Sequence, residues 1–113
     1  MKYTTLVETQ VLEDHLDDPA WVLFDCRFDL QEPEWGWEEY QSFHIPGAIY
    51  ADLNKDQSSP VTPQTGRHPL PDPSTFRAFL SKSGVNEKKQ VVVYDAVGGA
   101  YAARLWWMLR YYG

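Results

Sequence analysis

At 113 residues the chain holds one domain, and 43% hydrophobic and 15% aromatic residues give it material for a core. A formal net charge of -6 argues against a nucleic-acid phosphate backbone or an anionic membrane as the main partner. One cysteine, Cys26, excludes an internal disulfide and a cysteine-rich zinc site. No metal or other cofactor is expected. The polar start and the absence of an apolar run of about 18–20 residues make a cytoplasmic setting the expectation.

Thr4–Gln10 reads as a short opening strand, with Thr9 placed to cap a following helix through its hydroxyl. Val11, Leu12 and Leu16 give that helix one apolar stripe, and Asp17-Asp18-Pro19 ends it. Trp21–Phe24 is a second strand of buried type, closed by Asp25-Cys26-Arg27. Phe28–Trp37 is acidic and irregular, with Pro33 and Gly36 marking loop, and Glu38–Phe43 has room for a turn or two of helix. His44–Ala48 is a turn into a short strand, Ala48–Leu53. A long loop, Asn54–Pro73, then holds five of the eight prolines. Ser74–Ser83 is an amphipathic helix burying Phe76, Phe79 and Leu80, with Asp72 or Ser74 as cap and Gly84 as its C′ residue.

The last stretch, Gln90–Gly113, draws most attention. Val91-Val92-Val93-Tyr94 lacks polar alternation, which predicts a strand covered on both faces. Asp95 breaks the run, Gly98-Gly99 supplies a tight turn, and a helix starts from Gly99 or Ala100. Its residues Tyr101, Leu105–Leu109, Tyr111 and Tyr112 are apolar nearly all round, more than one sheet face needs, so burial against a second body is expected. Alternating strands and helices predict α/β with a mostly parallel sheet flanked by helices, and ligands gather at the carboxyl ends of such strands. The loop Asp95–Gly99 is therefore the first candidate site. A final crossover helix ordinarily returns to one more strand, and none remains, so the last strand is expected to be missing.

Several local patterns coincide with one family. Leu23–Leu30 (LFDCRFDL) resembles the strand and Asp-x-Arg segment of rhodanese domains, and His44-Ile45-Pro46-Gly47-Ala48 resembles their HIPGA signature. Gly66–Pro71, Val91–Asp95 and Ala102–Trp107 resemble the amino-terminal half of two-domain thiosulfate and 3-mercaptopyruvate sulfurtransferases. The resemblance implies a three-layer rhodanese-like domain over residues 1–113, apparently truncated, whose covalent partner is a second rhodanese domain. It also implies transfer of a sulfane sulfur from thiosulfate or 3-mercaptopyruvate to a thiophilic acceptor, through a persulfide on a loop cysteine. Here Asp95 stands at that cysteine's position, so the chain alone is expected to be inactive, the non-catalytic half. A free-standing inactive module that binds a protein or a small anion is the alternative. A phosphatase on the related fold would need a loop cysteine followed by arginine, and no G-x-G-x-x-G follows a major strand.

The candidate residues carry a functional and a plainer reading. Asp95, Gly98, Gly99 and Arg104 form the loop or anion site; the plainer reading makes Asp95 a loop-ordering carboxylate and Arg104 an ion-pair partner of Asp25 or Asp95. Asp25, Arg27, His44, Pro46 and Gly47 read as structural, with His44 bonding backbone to hold its turn. Arg67 and His68 are candidates for an interdomain cleft, against a solvated loop; the acidic residue that accompanies such a histidine in mercaptopyruvate-type members falls on Asn54. Cys26 is either a core thiol or the chain's one possible sulfur acceptor. Besides a second domain, self-association through the aromatic carboxyl-terminal helix is a candidate partnership.

Overall fold

The computed structural model describes residues 6–66 and 68–112. Its elements are α1 (Thr9–Asp14), β1 (Trp21–Asp25), α2 (Trp35–Ser42), β2 (Ile49–Tyr50), α3 (Pro73–Lys82), β3 (Gln90–Tyr94) and α4 (Ala102–Tyr112). The three strands form a parallel sheet in the order β2-β1-β3, with Phe24 of β1 opposite Ile49 on one side and Val93 on the other.

β1 is central, which explains its unbroken apolar run: both of its faces are covered. Val22 and Phe24 join Phe76 of α3 and Ala102, Leu105 and Met108 of α4 in the core. On the opposite face Leu23 and Val92 line a small cavity with Leu12, His15 and Leu16. Helices therefore flank the sheet on both sides. Phe24 is 0% exposed, and truncating such a ring costs about 3–5 kcal/mol.

Several local expectations change. Thr9 and Gln10 lie inside α1 rather than in a strand; Glu8, not Thr9, holds the N-cap position, without a capping side-chain bond. Thr4 and Thr5 lie outside the described residues. α2 begins at Trp35, earlier than expected, because Gly36 is not a breaker here: a Cβ on it would stand 2.0 Å from the Arg27 carbonyl oxygen. The close approach of backbone requires glycine. β2 is two residues long rather than six, since only Ile49 and Tyr50 find ladder partners on β1. β3 is only half-buried from Val91 to Tyr94, not covered on both faces, because it is the outer strand of the described sheet. Beside it runs a groove of about 440 Å³, lined by Phe76 and Leu80 of α3, Val85, Val91, and Leu109 and Tyr112 of α4. Gly84, with φ 87°, ends α3 as a C′ residue.

Candidate functional site

β3 delivers Asp95 to the carboxyl end of the sheet, where the chain wraps round its side chain. One carboxylate oxygen accepts the N–H groups of Val97 and Gly99, each at 2.9 Å. The other accepts those of Tyr101 and Ala102, each at 2.8 Å. Gly98 and Gly99, with φ of 75° and 97°, bend the backbone so that these donors converge. This wrapping also delays the helix: α4 begins at Ala102 rather than at Gly99 or Ala100. Burial pushes the Asp95 carboxyl up, but the N–H groups of Ala102, Val97, Gly99 and Tyr101 outweigh it and hold the group below its ordinary range. The loop is an anion cradle filled by its own carboxylate.

The neighbouring strand end is a scaffold. Arg27 grips the fully buried Asp25 through Nε, at 3.1 and 3.0 Å, and Nη2, at 2.8 Å. The same Nη2 donates to the Phe43 carbonyl at 2.7 Å. Tyr94 donates its hydroxyl proton to Asp25 at 2.9 Å and accepts the N–H of Ile45. Burial first, then Asp25, pushes the Tyr94 phenol up to about 12. The turn His44–Ala48 is thus tied to both strand ends. His44 Nδ1 lies 2.7 Å from the Tyr40 carbonyl oxygen, its ring stacked on Tyr40, and Gly47 takes φ 83° between Pro46 and Ala48.

Cys26 is 1% exposed. Burial, then the charges of Asp25 and Asp95, push its thiol far above the ordinary value. Almost no thiolate exists there near neutral pH, and the thiolate is the nucleophile. The position has the character of a core thiol.

A second cluster lies on the Asn54–Pro73 loop. Arg67 is outside the described residues. His68 Nε2 stands 2.9 Å from Asn54 Oδ1. The Phe28 ring lies edge-on to both neighbours, its centroid 6.3 Å from that of His68 and 5.6 Å from that of Tyr101. Phe28 thereby links His68 to the Asp95 loop, a role that its position past the end of β1 did not suggest. The expected ion pair of Arg104 with Asp25 or Asp95 does not form, because Arg27 occupies Asp25 and backbone N–H groups occupy Asp95. Arg104 Nη2 donates instead to the Gln57 carbonyl at 2.6 Å, Ser58 Oγ at 3.4 Å and the His68 carbonyl at 3.2 Å.

α4 has two apolar faces. Ala102, Leu105 and Met108 enter the core, while Trp106, Trp107 and Tyr111 stand on the outside, with Trp107 45% and Tyr111 62% exposed. Trp107 stacks on Tyr111, and the Arg110 guanidinium lies over Trp106. Among the described residues no group of His, Cys, Asp and Glu is arranged to hold a metal ion, and no helix is long and apolar enough to cross a membrane.

Comparison with known proteins gives a consistent result. The model of the rhodanese-like domain matches residues 8–113. The chain is 46% identical over 114 residues to a "Probable 3-mercaptopyruvate sulfurtransferase" of Pseudomonas aeruginosa, covering 100% of this chain and 40% of that protein. It is 38% identical over 117 residues to the 3-mercaptopyruvate sulfurtransferase of Escherichia coli K12, again covering 100% of this chain and 40% of the relative. Among solved structures, a 3-mercaptopyruvate sulfurtransferase from Leishmania major superposes with a TM-score of 0.84 at 33% identity, over 92% of this chain and 28% of that one. The chain spans well under half the length of these relatives.

Proposed function

The chain belongs to the rhodanese-like domain family, and from that premise we propose that it is the non-catalytic half of a tandem sulfurtransferase. The observation that carries this reading is the Asp95 carboxylate, held by four backbone N–H groups where a sulfur-carrying thiolate would need them. A carboxylate cannot accept a sulfane sulfur, and its charge repels an anionic donor such as thiosulfate or 3-mercaptopyruvate. The remaining thiol, Cys26, is buried and its thiolate is suppressed. Sulfur transfer therefore belongs to a second domain, and this one contributes a wall of its cleft, with His68 and Tyr101 backed by the buried Phe28 and with Arg67 next to His68 in sequence.

Two surfaces support a continuation of the polypeptide. The half-buried β3 and its adjoining groove suit one further parallel strand, since a right-handed crossover through α4 would deliver one there. The outer stripe of Trp106, Trp107 and Tyr111 suits burial against the second domain. A single thiol in the chain accords with a reducing, cytoplasmic setting.

The test is to express the 113-residue chain and the longest reading frame that contains it, and to assay both for thiocyanate formation from cyanide with thiosulfate or 3-mercaptopyruvate. Activity confined to the longer protein is the expected result. Turnover by the 113-residue chain, or a frame that ends at Gly113, would overturn the tandem reading. A frame ending there would favour the free-standing module instead.

A further inference from the structure

Arg104 is a cation placed inside the domain and, among the described residues, without a carboxylate partner. Among the described residues the ion pair present is Arg27 with Asp25. Burial lowers the Arg104 guanidinium's hold on its proton, and its Nε is buried with no hydrogen-bond partner. A rotamer pointing to water would relieve both penalties. What holds the inward rotamer is one nitrogen, Nη2, facing the Gln57 carbonyl, Ser58 Oγ and the His68 carbonyl. These acceptors lie 47, 46 and 36 residues back in the chain, on the loop between β2 and α3, which has no regular structure of its own.

The loop is held at several points. Gln57 Nε2 bonds the Ala51 carbonyl at 3.0 Å and Ser58 Oγ the Leu53 carbonyl at 2.6 Å, close to β2. Tyr112 bonds the Pro71 carbonyl at 2.6 Å, close to α3. Within the loop, Asn54 Oδ1 meets His68 Nε2, and Ser59 donates its N–H and its hydroxyl to the Pro69 and Leu70 carbonyls; Arg104 is what ties both the Gln57–Ser58 part and the His68 carbonyl to α4. It stands two residues after Ala102, whose N–H holds Asp95, so one short stretch of α4 fixes both the Asp95 loop and the His68 segment.

We infer that Arg104 is a positioning residue, a staple that sets where His68 stands relative to the Asp95 loop. A guanidinium suits this task because one charged nitrogen, Nη2, faces three oxygens at once without needing a carboxylate. The importance of His68 as cleft wall rests on the proposed function; the staple does not.

The three histidines make the experiment internally controlled. His15 lies stacked on Trp21 and His44 on Tyr40. Ring-proton NMR signals of all three are recorded in the 113-residue chain and in Arg104→Gln, Arg104→Lys and Tyr112→Phe. In Arg104→Gln the His68 signals should leave the position set by the Phe28 ring and broaden, while those of His15 and His44 stay. Tyr112→Phe should leave His68 in place, and Arg104→Lys should restore it in part. Unmoved His68 signals in folded Arg104→Gln, or all three histidines shifting together, would overturn the inference. If Arg104→Gln does not fold, Arg104→Met, which keeps an apolar stem and removes every donor, decides: a His68 indistinguishable from that of the parent chain overturns the inference, and a selective shift supports it. The measurement reads no sulfur chemistry, so its failure would leave the proposed function standing, and an absence of sulfur transfer would leave the staple standing.

Discussion

Asp95 accepts the backbone N–H of Ala102 at 2.8 Å, which makes a side chain at the end of β3 the starting point of α4. The same carboxylate orders the intervening loop, so its part in the fold is structural. Replacing Asp95 by Ala removes a charged acceptor from four donors, and the expected cost is about 2 kcal/mol. Chemical denaturation of the variant beside the parent chain measures it, and an unchanged midpoint would show that water replaces the carboxylate without loss.

That carboxylate also sets an acid limb. Its carboxyl group is held below the ordinary value of 3.8 in the folded chain, so the folded state binds its proton less readily than the unfolded state. The stabilisation is complete above 3.8 and is lost as pH falls through the lower folded-state value. Asp95→Asn should flatten this part of the stability-against-pH curve. A parent and variant with parallel acid limbs would assign the limb to other carboxylates.

Asp25 and Arg27 form a buried pair that also secures Tyr94 and the Phe43 carbonyl. Asp25→Ala leaves the guanidinium without its anion inside the domain, and the expected loss is about 3–5 kcal/mol. Thermal melts should show Asp25→Ala far below Arg27→Lys, because lysine keeps the charge and loses only the fork. Equal effects from the two variants would mean that the geometry of the pair matters more than its charge.

Gly36→Ala should cost at least about 3 kcal/mol, since its Cβ would meet the Arg27 carbonyl oxygen at 2.0 Å and the Tyr50 hydroxyl at 2.3 Å. Backbone on one side of the clash leaves little room to yield. A variant that melts with the parent would show that α2 can slide away from β1.

The thiol of Cys26 should react with a disulfide reagent only when the chain unfolds. Burial first, and the carboxylates of Asp25 and Asp95 after it, suppress the thiolate. Labelling in native buffer is expected to follow the rate of opening and to become immediate in denaturant. Fast native labelling would reveal an accessible thiolate and reopen the case for Cys26 as sulfur acceptor.

Much of this architecture is legible in the order of the amino acids. The apolar runs Trp21–Phe24 and Val91–Tyr94 name the two longer strands, and Gly84 marks the end of α3. The half-exposure of β3 is invisible locally, because it depends on which strand lies outermost. Gly36 misleads for a related reason: its neighbour across space, Arg27, is what makes glycine necessary inside a helix. Asp95 can be singled out by its place after an apolar strand, although the number of N–H groups it gathers depends on the path through Gly98 and Gly99. Arg104 is the hardest to read. Its acceptors lie across a loop whose course no local propensity encodes, and charge complementarity suggests carboxylates that are already engaged.

The most direct measurement of the central claim is cyanolysis of the 113-residue chain after incubation with thiosulfate, run beside Cys26→Ser. A loop filled by Asp95 and a buried Cys26 predict no thiocyanate from the chain above that control. Thiocyanate that appears with the parent chain and vanishes with Cys26→Ser would contradict the assignment of this domain as the non-catalytic half.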